Sequence, residues 1–266
     1  MIIGGNDIAN LVKQGELFLP SGGPLTSQVR FENGNRVMSY GVGPAGYDIR
    51  LGRKFAVLSC CSRGYSVGYE RMRVGNSGES KCAIVHVHPC NEHLWLYHNP
   101  LQHYTLDCEH SVVKHQWVIA RHQYFDIGND VGAILLEPGI SLLGESIEVF
   151  DMPDDVVGFC VGKSSYARCG ILVNVTPIEP GWKGRLVIEL VNLSHVPVLI
   201  HIGQGIAQVL FAKVLNAKQY SGHWQEQSGI EAMLSGQTDV EGGRWNWWGI
   251  PESIERKMKE DFGANS

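Results

Sequence analysis

The sequence predicts a mainly β, turn-rich protein. Three observations carry this reading: 44% hydrophobic residues together with 32 glycines in 266 positions, short runs dominated by Val, Ile and Leu, and turn residues that punctuate those runs. The length suits one large β domain or two small ones, with enough chain to bury a proper core.

Taken in order, Asn6 and Asp7 are candidate caps for a short helix whose apolar positions Ile8, Leu11 and Val12 recur at helical spacing, and Gly15 is its stop. Leu17 to Leu19 is extended before Pro20. The Gly, Pro, Ser and Asn content of Pro20 to Asn35 predicts a loop, after which Tyr40 to Phe55 enters the β core. Leu135 to Gly139 is a turn before a strand at Ile140 to Leu143. A separate strand, Ser146 to Phe150, precedes the turn Asp151 to Asp155, and Val156 to Val161 is a further strand. Ile171 to Thr176 and Arg185 to Asn192 form a hairpin around the Pro-Gly turn of Pro177 to Gly184.

The chemistry concentrates in Gly162 to Glu189. Gly162-Lys163-Ser164-Ser165 offers flexible backbone, a cation and two hydroxyls, a cradle for phosphate oxygens if it opens a helical turn; an ordinary surface turn is the alternative. It is not a P-loop, because Val157 stands where the first glycine belongs and no long amphipathic helix follows. In the strand after the turn, Val187, Glu189 and Val191 share a face. A carboxylate between valines is expensive to bury unless paired, neutralised or functional, and Arg168 is the candidate partner. A solvent-facing strand is the other reading, as it is for Asp48 and Arg50.

The formal net charge of -5 argues against a general nucleic-acid binder. Between Cys160 and Tyr220, however, six cations (Lys163, Arg168, Lys183, Arg185, Lys213, Lys218) face two acids (Glu179, Glu189), a local excess that would attract a small polyphosphate. No apolar run approaches a membrane span and the start lacks a signal-peptide pattern, so the expected location is the cytoplasm, with no membrane partner. Seven cysteines without a regular framework fit reduced thiols. The cluster Cys82, His86, His88, Cys90, His93 matches no standard zinc spacing, so no protein metal site is assigned and a β-rich excursion is the simpler reading. Zinc-type deamination would need an H-x-E ligand motif, which the chain lacks.

The run from Gly162 to Gly184, continuing through the I-E-L-V-N strand and Gly205 to Phe211, resembles the dCTP deaminase family of the trimeric dUTPase superfamily. Ser39-Tyr40-Gly41-Val42 followed by Gly46-Tyr47-Asp48-Ile49-Arg50 resembles its amino-terminal signature. The resemblance implies a distorted β-barrel or jelly-roll of the dUTPase-like superfamily with a short N-terminal helix, in a homotrimer with sites at subunit interfaces. It implies a domain at 1–230 interrupted by an insertion at about 56–125, with a C-terminal extension at 231–266.

The implied reaction is hydrolysis of dCTP to dUTP and ammonia without catalytic zinc. Glu189 would be the proton shuttle, with Ser164 and Arg168 positioning water and stabilising charge. Lys163 and Ser165 would help with phosphates, together with Mg2+ held mainly by the triphosphate. The backbone at Thr176 and Pro177 would face the base, Glu179 and Trp182 the sugar, and Gln208, Tyr220 and Gln227 the rest of the nucleotide. Relatives carry a lysine in the tail that follows; here His223 stands at that position and Trp224 next to it, so the charge there depends on pH. The Trp245-Asn246-Trp247-Trp248 cluster is read as packing, and Pro251 to Asp261 as helical. dTTP is an expected inhibitor. A dUTPase, a bifunctional deaminase and diphosphatase, and a non-catalytic nucleotide-binding or assembly protein remain as alternatives.

Overall fold

The computed structural model describes residues 1–59, 65–73, 79–87, 121–222 and 224–230. His88, Cys90, His93, His223 and the whole 231–266 extension lie outside them, as does most of the segment read as an insertion. Among the described residues the fold is mainly β, as the sequence predicts. Helix α1 (Gly5–Lys13) leads to β1 (Leu17–Leu19), a 3-10 turn (Pro20–Gly22), β2 (Gln28–Glu32), β3 (Asn35–Gly43) and the long β4 (Gly46–Ser59). The hairpin β5 (Tyr65–Arg73) and β6 (Glu79–Val87) follows, then β7 (Arg121–Asp126), β8 (Val131–Leu136), β9 (Ser141–Asp151) and β10 (Val156–Gly162). A short helix, α2 (Ser164–Ala167), precedes β11 (Ile171–Asn174), β12 (Lys183–Asn192), β13 (Val198–His201) and β14 (Gly205–Lys213).

One sheet runs β10-β14-β4-β9-β12-β11, with β3 and β7 also paired to β4, β2 to β3, and β1 to β9. Strand β4 spans both halves: its start pairs with β14 and β3, its end with β9 and β7. A second sheet runs β13-β8-β6-β5. Phe18 seals the core where the halves meet, 4.5 Å from the Tyr47 ring and 4.8 Å from Phe150, with Leu51, Phe55 and Phe211 fully buried around it. No described helix is long and apolar enough to cross a membrane.

Four expectations are corrected. The cap of α1 is Gly4, not Asn6 or Asp7; Gly5 N donates to Pro44 O, and a Cβ on Gly5 would stand 2.1 Å from Gly43 O, so the helix starts where only glycine passes. The loop of Pro20 to Asn35 contains β2, an edge strand with little apolar content. Strand β9 is continuous across the break placed between Leu143 and Ser146. Its buried polar residues disguise the alternation: Ser146 Oγ accepts from Leu186 N and donates to Glu148 O, and Glu148 takes Arg50 N and Nε, each at 2.8 Å. Burial drives the Glu148 carboxyl above its ordinary range, and Arg50 opposes that shift. Finally, Asp48 and Arg50 are not on a solvent face, since Asp48 is buried and Arg50 is committed to Glu148.

Candidate active site

The turn between β11 and β12 and the returning tail enclose a cavity of about 310 Å³. Its wall is Val175, Thr176, Pro177, Ile178, Glu179 and Trp182 from the turn, Leu186 and Val187 from β12, and Tyr220, Trp224 and Gln227 from the tail. Two backbone bonds tie the turn to β10: Gly158 N donates to Ile178 O at 2.8 Å and Ile178 N returns to Gly158 O at 2.9 Å. The rim is therefore part of the sheet and not a free loop.

The tail closes the other side. Tyr220 N donates to Pro180 O at 2.8 Å, Trp182 Nε1 to Trp224 O at 2.8 Å, and Gln225 Nε2 to Gly181 O at 2.8 Å. Arg185 N then donates to Gln227 O at 2.8 Å, and Ile230 N to Glu145 Oε2 at 3.2 Å. Ile230 is fully buried against Ala56 and Leu143, with Val187 packed on the same cluster. Gly184 makes the approach possible: its φ is +143°, and a Cβ there would meet Gln227 O at 2.5 Å.

Glu189 is exposed on β12, opposite Asn174 of β11, whose Nδ2 donates to Glu189 Oε2 at 2.7 Å. It does not line the cavity. Val187, two residues earlier on the same face, does, and so does Val175, next after Asn174. The Glu189–Asn174 pair thus adjoins the cavity, with one carboxylate oxygen held by Asn174 and the other without a hydrogen-bond partner among the described residues.

Six residues of the predicted binding set, Thr176, Pro177, Glu179, Trp182, Tyr220 and Gln227, come together in this wall. Gln208 does not; it lies on β14 across from Val161 and Asp48. Ser164, Ser165 and Arg168 are exposed on and beside α2, and among the described residues their side chains make no hydrogen bond or ion pair. Within the chain Arg168 is not the partner of Glu189. Helix α2 adjoins the start of β11, where Ile171 faces Asn192, whereas Glu189 faces Asn174, three residues further along, about 10 Å at strand spacing.

Lys163 caps α2 through its backbone, but its ammonium turns inward, 2.8 Å from Asp48 Oδ2 and 3.0 Å from Ser39 Oγ. Other cations of the basic segment are also engaged: Lys183 with Asp151, Lys213 with Asp155, and Arg185 Nη1 with the carbonyls of Ser146 and Ile147. The local positive excess is therefore smaller in space than along the chain. Cys82 is buried beside Ala133, Met72, Leu135 and Leu199, and that burial raises its thiol pKa. Among the described residues no group of three His, Cys, Asp or Glu converges.

The cavity residues missed from sequence are Val175, Ile178, Leu186, Val187 and Trp224. The sequence places the four aliphatic ones only in strands or a turn; the signal available was the alternation that sets Val187 beside Glu189.

A family model described as dCTP deaminase-like matches residues 110–214. The dCTP deaminase of Protochlamydia amoebophila is 35% identical over 187 residues, 70% of this chain and 73% of the relative. That of Acinetobacter baumannii is 30% identical over 210 residues, 77% of this chain and 85% of the relative. Among solved structures, 2'-deoxycytidine 5'-triphosphate deaminase from Agrobacterium tumefaciens is 16% identical with a TM-score of 0.43; the match covers 80% of this chain and 48% of that one, so the chain spans about half its length. On the strength of the two sequence relatives, each matched over more than two thirds of its own length, this chain belongs to the dCTP deaminase family.

Proposed function

We propose that the protein removes the cytosine 4-amino group of dCTP by hydrolysis, giving dUTP and ammonia for deoxyuridine and thymidine nucleotide synthesis. The observation that carries this is the exposed Glu189 carboxylate, fixed by Asn174 beside a cavity walled by turn and tail. Glu189 takes a proton from the water that attacks C4, then delivers protons to the ring nitrogen and to the departing amine, which leaves as ammonia. Bond for bond, C4–O forms, C4–N breaks, and no redox partner is needed. The aliphatic wall of Val175, Ile178, Leu186 and Val187 limits water around the base, while Thr176 and Pro177 face its edge. Glu179 and Trp182 face the sugar, and Tyr220 and Gln227 hold the nucleotide from the tail.

The proton steps are assigned to side chains, and no zinc step is invoked. Mg2+ prefers oxygen ligands and would arrive on the triphosphate, where it neutralises phosphate charge; no protein side chain is assigned to it. Ser165 is the exposed hydroxyl offered to the phosphates. dTTP, with the same triphosphate, would compete for the site.

Ser164 and Arg168 are assigned to the site of an adjoining copy in a homotrimer. Their exposure without side-chain partners among the described residues supports this, as does the apolar surface beside them: Phe159 is 45%, Val161 44% and Leu172 49% exposed. Apolar side chains clustered at that level mark a contact surface.

The test is turnover of dCTP with Mg2+ after removal of transition metals, resolving dUTP, dUMP, ammonia and pyrophosphate. Equal dUTP and ammonia are expected. Binding without ammonia would refute the deaminase reading, and pyrophosphate release would add or substitute a diphosphatase.

A further inference from the structure

The ion pair between Lys163 and Asp48 does not follow from the proposed reaction, in which a lysine beside two serines would be spent on phosphate. Its side chains are only 11% and 5% exposed. Asp48 Oδ2 also accepts from Gln28 Nε2 at 3.1 Å and from Ser39 Oγ at 3.2 Å, and Ser39 Oγ in turn accepts from Lys163 Nζ at 3.0 Å. One carboxylate oxygen therefore joins β2, β3, β4 and the cap of α2. The lysine stem reaches it across Gly205: a Cβ there would lie 3.3 Å from Lys163 Cδ and 1.9 Å from Ser39 O. The fold leaves a path for this side chain into the interior. A buried ion pair contributes little net stability against well-packed apolar residues, so its worth lies in fixing one arrangement. The element it fixes is the turn carrying Ser164, Ser165 and Arg168, whose own side chains are tied to nothing else among the described residues.

We propose that Lys163 is a positioning residue and not a phosphate ligand: its ion pair with buried Asp48 pins the start of α2, so that Ser164 and Arg168 are held in register for catalysis. The catalytic half of this inference rests on the deaminase reading; the pinning does not. A lysine drawn inward cannot simultaneously meet a phosphate outside, and the geometry favours the inward partner, because leaving Asp48 buried without its cation costs more than any exposed contact returns.

The experiment uses the full chain and compares wild type with Lys163→Met and with Lys163→Met/Asp48→Asn. The double variant removes both charges together, so that neither is left buried alone, and its melting temperature reports the fold. Two readouts are taken: kcat and KM for dCTP, and amide hydrogen exchange across Ser164 to Arg168. Expected is a fall in kcat on the order of tenfold to hundredfold in both variants with KM little changed, the double no worse than the single, and faster exchange confined to Ser164 to Arg168. A rise in KM at unchanged kcat, or wild-type exchange across α2 in the folded double variant, overturns the proposal. If wild type yields no ammonia while α2 exchange still quickens in the variants, the pinning stands and the deaminase reading fails.

Discussion

Replacing Ile230 by alanine tests how the tail is held over the cavity. Ile230 is fully buried against Ala56 and Leu143, on the sheet face that also carries Val187. The change removes three carbons at about 0.8 kcal/mol each, about 2.4 kcal/mol before any cavity cost, or roughly fiftyfold in the equilibrium between docked and open tail. The loss falls on a local unit, because Ile230 belongs to the small cluster with Ala56, Leu143 and Val187 and not to the main core around Phe18. Native-state hydrogen exchange reads it directly at the Arg185 amide, which donates to Gln227 O, and at the Ile230 amide, which donates to Glu145. Both amides should exchange roughly fiftyfold faster, with the amides of β4 and β10 unchanged. Acceleration under about threefold would show that Ile230 is not the anchor. Equal acceleration throughout the sheet would show that it belongs to the global core.

Gly184→Ala is expected to lift the same segment, since its Cβ would meet Gln227 O at 2.5 Å in a backbone already at φ +143°; KM for dCTP should rise several-fold, and an unchanged KM would count against tail closure. Asn174→Ala frees the Glu189 carboxylate to rotate, so kcat should fall, but by less than for Glu189→Gln; steady-state rates at saturating dCTP decide. Co-assembling Arg168→Ala with Glu189→Gln chains should restore activity absent from either alone if neighbouring copies share a site, and no recovery in confirmed mixed oligomers would contradict that arrangement. Burial holds the His201 imidazole below its usual pKa, with Nδ1 left without a hydrogen-bond partner among the described residues. Below about pH 6.5 the unfolded chain therefore binds a proton that the folded chain refuses, and stability falls as pH drops from there toward the folded value. His201→Gln should flatten the melting temperature between pH 7 and 5; parallel curves for the two proteins would refute it.

Much of the site was legible because it is local. The hairpin of β11 and β12, the Pro-Gly turn between them and the placement of Glu189 on the face of Val187 all follow from alternation and turn chemistry. The turn residues Thr176 to Glu179 and Trp182 reach the cavity for the same reason. What local pattern cannot supply is which partner wins in space. Arg168 was the natural counter-charge for Glu189, but α2 leaves it at the wrong end of β11, and the cross-strand register delivers Asn174 instead. Lys163 looked free because Asp48 approaches it only after β4 and β14 pair. Strand β9 was divided in two because Ser146 and Glu148 are polar, and nothing in the sequence announces that Leu186 N and Arg50 satisfy them inside. The cap of α1 failed likewise: Gly4 wins over Asn6 through the close pass of Gly5 against Gly43.

The central claim is that Glu189 moves the protons of a dCTP deamination. The most direct test pairs two measurements on wild type and Glu189→Gln: dCTP affinity by titration, and ammonia release at saturating dCTP with Mg2+. The account predicts similar affinity and a loss of ammonia release on the order of a hundredfold to ten-thousandfold. Ammonia release surviving in Glu189→Gln, or absent from a wild type that binds dCTP, would contradict it.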